Sequence, residues 1–173
     1  MPNWCANHLT ISGHKDDLNT LMEDIPELTL EAMCPLPDGE WNYHWCVDNW
    51  DTKWDIDPQQ HSEPRRDYLI EYEEFWGESL PAKKIMGWNK KEGDYLSTQY
   101  YFNTAWAPPV RALAETYPKL LFTLTYAEAG MGFCGQTQFF NGELYSETYE
   151  NNVYENEAIT QAIGRSLMTI MGG

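Results

Sequence analysis

Residues 120–126 read LLFTLTY, and their alternation constrains the fold more tightly than any other stretch. Phe122, Leu124 and Tyr126 fall on one side of an extended segment and Thr123 and Thr125 on the other, the period-two pattern of a strand with one face on a core. Such a strand needs partners. Asn7–Gly13 (NHLTISG) sets Leu9 and Ile11 against His8, Thr10 and Ser12, and Gly13 ends the pattern. In YLSTQYYFNTAW, Leu96, Tyr100 and Phe102 alternate with Ser97, Gln99, Tyr101 and Asn103. FFNGELY (139–145) places Asn-Gly between apolar stretches; both residues tolerate the positive φ angles of a type I′ turn, so a hairpin is added late.

Helical spacing separates these strands. Leu18, Leu21, Met22 and Ile25 recur at one face of a helix that Pro26 stops. Pro108 and Pro109 suit a first helical turn, and Val110, Leu113, Ala114 and Tyr117 give the apolar face of a short helix ended by Pro118. Ile159, Ala162, Ile163, Leu167, Ile170 and Met171 line a C-terminal helix that should dock on existing core. LTLEAMCPLP (28–37) begins as a second strand and is broken by Pro35 and Pro37. EWNYHWCVDNW suits a short helix leading into an extended TKWD. DYLIEYEEFWG fits helix or strand, and PAKKIMGWNKKEGD, with Lys83, Lys84, Lys90 and Lys91, reads as a solvated basic loop, so 60–94 is taken as an insertion. The assembled order is an α+β, ferredoxin-like split βαβ sheet with an insertion, an added β-hairpin and a C-terminal helix. At 173 residues the chain suits a single domain spanning 1–173, with 131–173 as the hairpin and C-terminal helix extension. That fold carries enzymes, RNA-binding domains and interaction modules alike, so it names no function.

Composition narrows the classes. With 42% hydrophobic and 14% aromatic residues the chain is too apolar for acidic disorder. No apolar run approaches the roughly 20 residues that span a bilayer, and MPNWCANHL lacks an export signal, so no membrane and a cytoplasmic location in a bacterial host cell are expected. Cys5, Cys34, Cys46 and Cys134 are then reduced thiols. The net charge is −16, and residues 1–60 hold 12 acids against Lys15 and Lys53. A field of that sign repels phosphate backbones and attracts a basic protein.

Five separated strings resemble, in order, the YubB-like family of phages and conjugative plasmids: PNWCANHLTISG, CPLP, NWDTKWD (49–55), FNTAWAPP and YAEAGMGFCG. The resemblance covers most of the chain except about 60–94 and the tail beyond 145. It implies a ferredoxin-like domain on a mobile element, with no established activity. Trp50, Lys53, Trp54, Asp55, Trp106 and Glu128 belong to these strings and are read as its structural signature. Asp51 stands where the family pattern has glycine, so the sequence alone gives no ground for a positive φ at that turn. A lysine buried between tryptophans needs a paired carboxylate, and Glu128 or Asp55 is the expected partner of Lys53.

No catalytic residue stands out. No CxxC or HxxxH occurs, and His44 and Cys46 alone are two apart, so no metal or other cofactor is expected. GMGFCG (130–135) lies between two strands rather than before a helix, and so serves as a turn instead of a phosphate cradle. Tyr101 could stack a base, which keeps a single-stranded nucleic-acid-binding domain as one alternative and an enzyme of unknown chemistry as another. The sharpest positive feature is 143–157, where Glu143, Glu147, Glu150, Glu155 and Glu157 accompany Tyr145, Tyr149 and Tyr154 without a Lys or Arg. These residues are the expected partner-binding surface of a non-enzymatic phage or plasmid accessory protein. It would bind and inhibit a basic host protein, a nucleic-acid-handling or defence complex, as an anti-defence factor or DNA mimic with no direct nucleic-acid contact.

Overall fold

A computed structural model describes residues 3–26, 28–56, 67–71, 95–109, 112 and 117–163. Strand β1 (Trp4–His14) leads into helix α1 (Lys15–Asp24), a single-turn helix α2 (Leu30–Met33) and helix α3 (Tyr43–Trp50). Strands β2 (Asp67–Glu71), β3 (Tyr95–Ala105), β4 (Leu121–Glu128), β5 (Phe133–Phe140) and β6 (Glu143–Glu150) follow, and helix α4 (Glu157–Ile163) comes last. The sheet order is β2-β3-β1-β4-β5-β6, and every neighbouring pair is antiparallel. The first four strands therefore have the split βαβ arrangement of a ferredoxin-like fold, and the β5–β6 hairpin extends it beyond β4. Asn141 and Gly142 make the hairpin turn at φ +57° and +72°, as the Asn-Gly pair requires.

The alternation in β1 and β4 divides the sheet into two faces. Leu9 lies opposite Tyr100 and Leu124, and Ile11 opposite Thr98 and Phe122. Leu9, Ile11, Tyr100, Phe122 and Leu124 pack with Leu18 and Leu21 of α1, Leu30 and Met33 of α2, and Cys46 and Trp50 of α3 in the main core. Fully burying each such side chain contributes about 1.5–3 kcal/mol. On the second face Ala6, Ala127 and Cys134 meet Val153 and Ile159, which docks the C-terminal helix. Further along that face Thr10, Thr123, Thr125 and Gln138 are buried, and Gln138 Nε2 donates to Thr123 Oγ1 (3.2 Å).

Each helix start is fixed by a side chain. His14 Nδ1 accepts from the amide of Asp16 (3.2 Å), with Asp16 and Asp17 favourably placed in the first turn of α1. Asn42 Oδ1 accepts from the Trp45 amide (3.0 Å) at the start of α3. Within the segment expected to begin as a strand at 28–37, Leu30–Met33 is helical instead. Thr29 Oγ1 accepts from the Ala32 amide (3.1 Å), and the Asp55 carboxylate accepts from the amides of Leu30 (2.5 Å) and Glu31 (3.1 Å). With its free amides capped and Leu30 and Met33 turned to the core, this short turn competes with extension and wins. Its place in the sheet is taken by Asp67–Glu71, inside the segment assigned to the insertion, which pairs with β3. Of the helix expected at 110–117 only buried Ala112, which is helical, and half-buried Tyr117, which is not, are described; the basic loop at 81–94 and the end of the C-terminal helix (Leu167, Ile170, Met171) lie outside the described residues.

β6 is joined to β5 with one irregularity. Gln138 pairs with Ser146 while Phe139 pairs with Leu144, so Tyr145 is the extra residue of a bulge. Near the other end of the pair, a methyl at Gly135 would overlap the Tyr126 hydroxyl and the Thr148 carbonyl. Gly135→Ala should therefore destabilise the chain by about 1–3 kcal/mol, read as a lowered melting temperature with α4 still helical. An unchanged melt would show that β6 does not sit this close to β4 and β5.

Candidate functional site

The structure gathers the expected partner-binding residues unevenly. Glu143, Tyr145, Glu147, Tyr149 and Glu150 all lie on β6, the outer strand, and every residue of that strand is exposed. Tyr145 and Tyr149 are 52% and 56% exposed, and Tyr149 stacks on Phe133 at 5.9 Å. That stacking fixes one ring as an anchor while leaving it accessible. Glu150 accepts from Asn156 Nδ2 (2.8 Å), which ties the strand to the segment carrying Glu155 and Glu157; both of these are exposed. Tyr154 sits in a one-turn 3-10 helix (Val153–Glu155), and its side chain is outside the described residues. Glu147 also acts inward: burial first, and then its negative charge, push the Tyr126 phenol up to about 12.

Of the residues expected as a structural signature, Lys53, Trp54, Trp106 and Glu128 lie at one end of the sheet, where β3 and β4 finish and β1 begins. Trp50 is buried and donates through Nε1 to the Cys34 carbonyl (2.8 Å). After it the chain turns at Asp51, which takes φ +61°; Asp tolerates this left-handed conformation better than most residues. Thr52 Oγ1 then donates to the Ala105 carbonyl (2.6 Å), fastening the loop to the end of β3. Lys53 is not paired with Glu128 or Asp55. Its ammonium lies 4.1 Å from the ring centroid of Trp54 and 4.1 Å from that of Trp106. A cation against two indole faces gains about 0.5–2 kcal/mol per ring without the cost of desolvating a carboxylate.

Both expected carboxylates are occupied by backbone amides. Asp55 caps α2 and also accepts from the Ile56 amide (2.7 Å). Glu128 is fully buried and accepts from the amides of Gly130 (2.8 Å) and Met131 (2.6 Å), closing the turn into β5. A Cβ at Gly130 would stand 2.8 Å from Glu128 Oε1, so glycine there permits the approach.

Around Lys53 is a group of rings, of which the sequence singles out Trp54 and Trp106 but not Trp41, Tyr43 or Trp4. Trp41 and Tyr43 are exposed, Trp54 is 41% and Trp106 38% exposed, and Trp4 lies behind Trp54 at 6.3 Å. Tyr43 meets Trp106 edge-on at 6.4 Å, and Trp41 Nε1 donates to the Lys53 carbonyl (2.9 Å). The available signal was the aromatic density of 41–54. Trp106 holds φ +76°, an unusual angle for so large a residue and a strain on the order of 1–3 kcal/mol. It is retained because the Trp106 amide donates to the Asn3 carbonyl (2.9 Å) and Thr104 Oγ1 to the Ala107 carbonyl (2.7 Å).

The remaining candidates are placed in packed surroundings. Tyr101 stacks on His8 at 4.5 Å, each ring covering a face that a base would need. Cys5, Cys46 and Cys134 are buried free thiols whose pKa values burial raises, which disfavours a reactive thiolate. Among the described residues no cluster of three His, Cys, Asp or Glu side chains could hold a metal ion, and no helix is long and apolar enough to cross a membrane.

Residues 86–164 match the family model for the ferredoxin-like domain in Api92-like protein. The chain thus contains a ferredoxin-like domain. The match takes in β3 to β6, Trp106, Glu128 and the acidic outer strand, and leaves out Lys53 and Trp54. No curated protein and no solved structure matches the chain.

Two outcomes follow from this geometry. Glu128→Gln keeps the size but turns an amide N–H toward one of the two backbone donors, and should cost about 1–3 kcal/mol in denaturant unfolding. The folded chain holds the Tyr126 proton more tightly than the unfolded chain, whose phenols titrate near about 10. Tyr126 therefore contributes stability that is complete below about pH 10 and is lost as pH rises toward about 12. Tyr126→Phe should flatten that alkaline loss in thermal melts.

Proposed function

We propose that this is a non-enzymatic interaction protein of a phage or conjugative plasmid, and that its outer strand binds and inhibits a basic host protein that handles nucleic acid or serves in defence. The observation that carries this reading is β6 itself: an edge strand with all residues exposed, carrying glutamates and tyrosines, in a stretch 143–157 without a Lys or Arg. An edge strand offers backbone donors and acceptors to an added strand, exposed rings supply anchors, and surrounding carboxylates speed encounter with a basic partner.

The charge spacing distinguishes two forms of this idea. At about 3.4 Å per residue, Glu143 to Glu150 spans about 24 Å and holds three carboxylates. Duplex DNA carries one charge per about 1.7 Å, roughly fourteen over that length. The strand therefore suits steering of a basic segment onto a sheet edge better than imitation of a phosphate backbone.

A tagged pull-down from bacterial host lysate across a salt series tests the proposal. The expected result is a partner retained at low salt and released as salt rises, with affinity lowered roughly tenfold when Glu143, Glu147 and Glu150 are all changed to Gln. A partner bound equally by the triple variant, or equally at all salt concentrations, would refute the charge-steered mechanism.

A further inference from the structure

Trp54 and Trp106 present their ring faces to one ammonium, and that ammonium belongs to the chain itself. Lys53 Nζ stands 4.1 Å from each centroid, with Trp4 behind Trp54 and Tyr43 at the edge of Trp106. Paired indole faces at this distance are the usual construction for binding ammonium and guanidinium groups. Both rings remain partly exposed and Lys53 is itself only half-buried, so the group borders solvent. The walls are held independently of their occupant. Trp106 is positioned by its amide bond to Asn3, and the loop bearing Trp54 by Thr52 on Ala105.

The occupant is held lightly by comparison. Among the described residues no carboxylate forms an ion pair with Lys53. Its ammonium is kept by the two rings, at the end of a flexible stem whose backbone carbonyl is separately fixed by Trp41 Nε1. The chain as a whole carries −16, which concentrates cations at its surface.

We propose that Trp54 and Trp106 form a cation-binding cage for an arginine or lysine side chain of a protein partner, with Lys53 as an internal occupant that the incoming cation displaces. A guanidinium is the better competitor, because it is planar, more weakly hydrated than an ammonium, and stacks on aromatic faces. The cage uses none of the β6 residues, so it stands apart from the acidic-strand proposal and can fail or succeed without it.

The test uses the full chain and two small probes, tetramethylammonium chloride and N-acetyl-arginine amide, each titrated against a matched sodium chloride control. In the wild-type chain, the Lys53 Cε protons should start shifted upfield by the two rings and move toward ordinary lysine positions in NMR spectra as probe saturates. Lys53→Ala should bind tetramethylammonium at least tenfold more tightly than wild type, read by tryptophan fluorescence, and Trp106→Ala should abolish binding in both backgrounds. The Glu143, Glu147 and Glu150 triple Gln variant should bind both probes as wild type does. Lys53 protons that stay shifted at high probe concentration would overturn the proposal, whether or not Lys53→Ala folds. So would a folded Lys53→Ala chain that responds no more to tetramethylammonium than to sodium, or binding that survives loss of Trp106.

Discussion

Strand β1 is hydrogen-bonded along both of its edges, to β3 on one side and β4 on the other, and the remaining architecture depends on that double pairing. Its residues cannot slip by one position without sending Leu9 and Ile11 to the wrong face, because side chains alternate across a strand. The register places Cys5 beside Thr104 on one neighbour and beside Glu128 on the other. The start of β1 is thereby brought next to the ends of two strands distant in sequence. There Asn3, the Thr52 loop, Trp106 and the Glu128 turn come together.

That end of the sheet is fastened by polar groups. Asp55 and Glu128 are each satisfied by backbone amides, and Thr52 and Thr104 each donate to a backbone carbonyl. A buried carboxylate that accepts amide hydrogens fixes a turn with a directionality that apolar packing lacks. The same arrangement leaves neither acid for Lys53, and the lysine turns instead to the two indoles. Its environment is thus a consequence of how the loops on either side are tied down.

Much of this was legible in the chain, and the failures have physical reasons. Period-two alternation located β1, β3 and β4, and Asn141-Gly142 located the hairpin, because both signals depend on local geometry that tertiary contacts do not override. The 28–37 segment misled because its helix depends on Asp55, a cap that arrives from 25 residues away. DYLIE fits helix or strand from sequence alone because it has too few residues to declare a period, and its pairing with β3 decides for the strand. At the candidate sites, the exposure of Glu143, Glu147 and Glu150 was readable from their density. The cage was not, since Trp106 reaches Lys53 only through the β1 to β3 pairing and a left-handed backbone at a residue that rarely adopts one.

The bulge at Tyr145 bears on how the protein avoids its own kind. A straight outer strand is a template on which a second copy could zip up edge to edge. Here the extra residue breaks the spacing of the ladder, and an antiparallel copy would bring Glu143 and Glu147 of one strand toward Glu150 and Glu147 of the other. Mismatch and repulsion act together against self-stacking, so the open margin of the sheet discourages aggregation while remaining available to a chain of opposite charge.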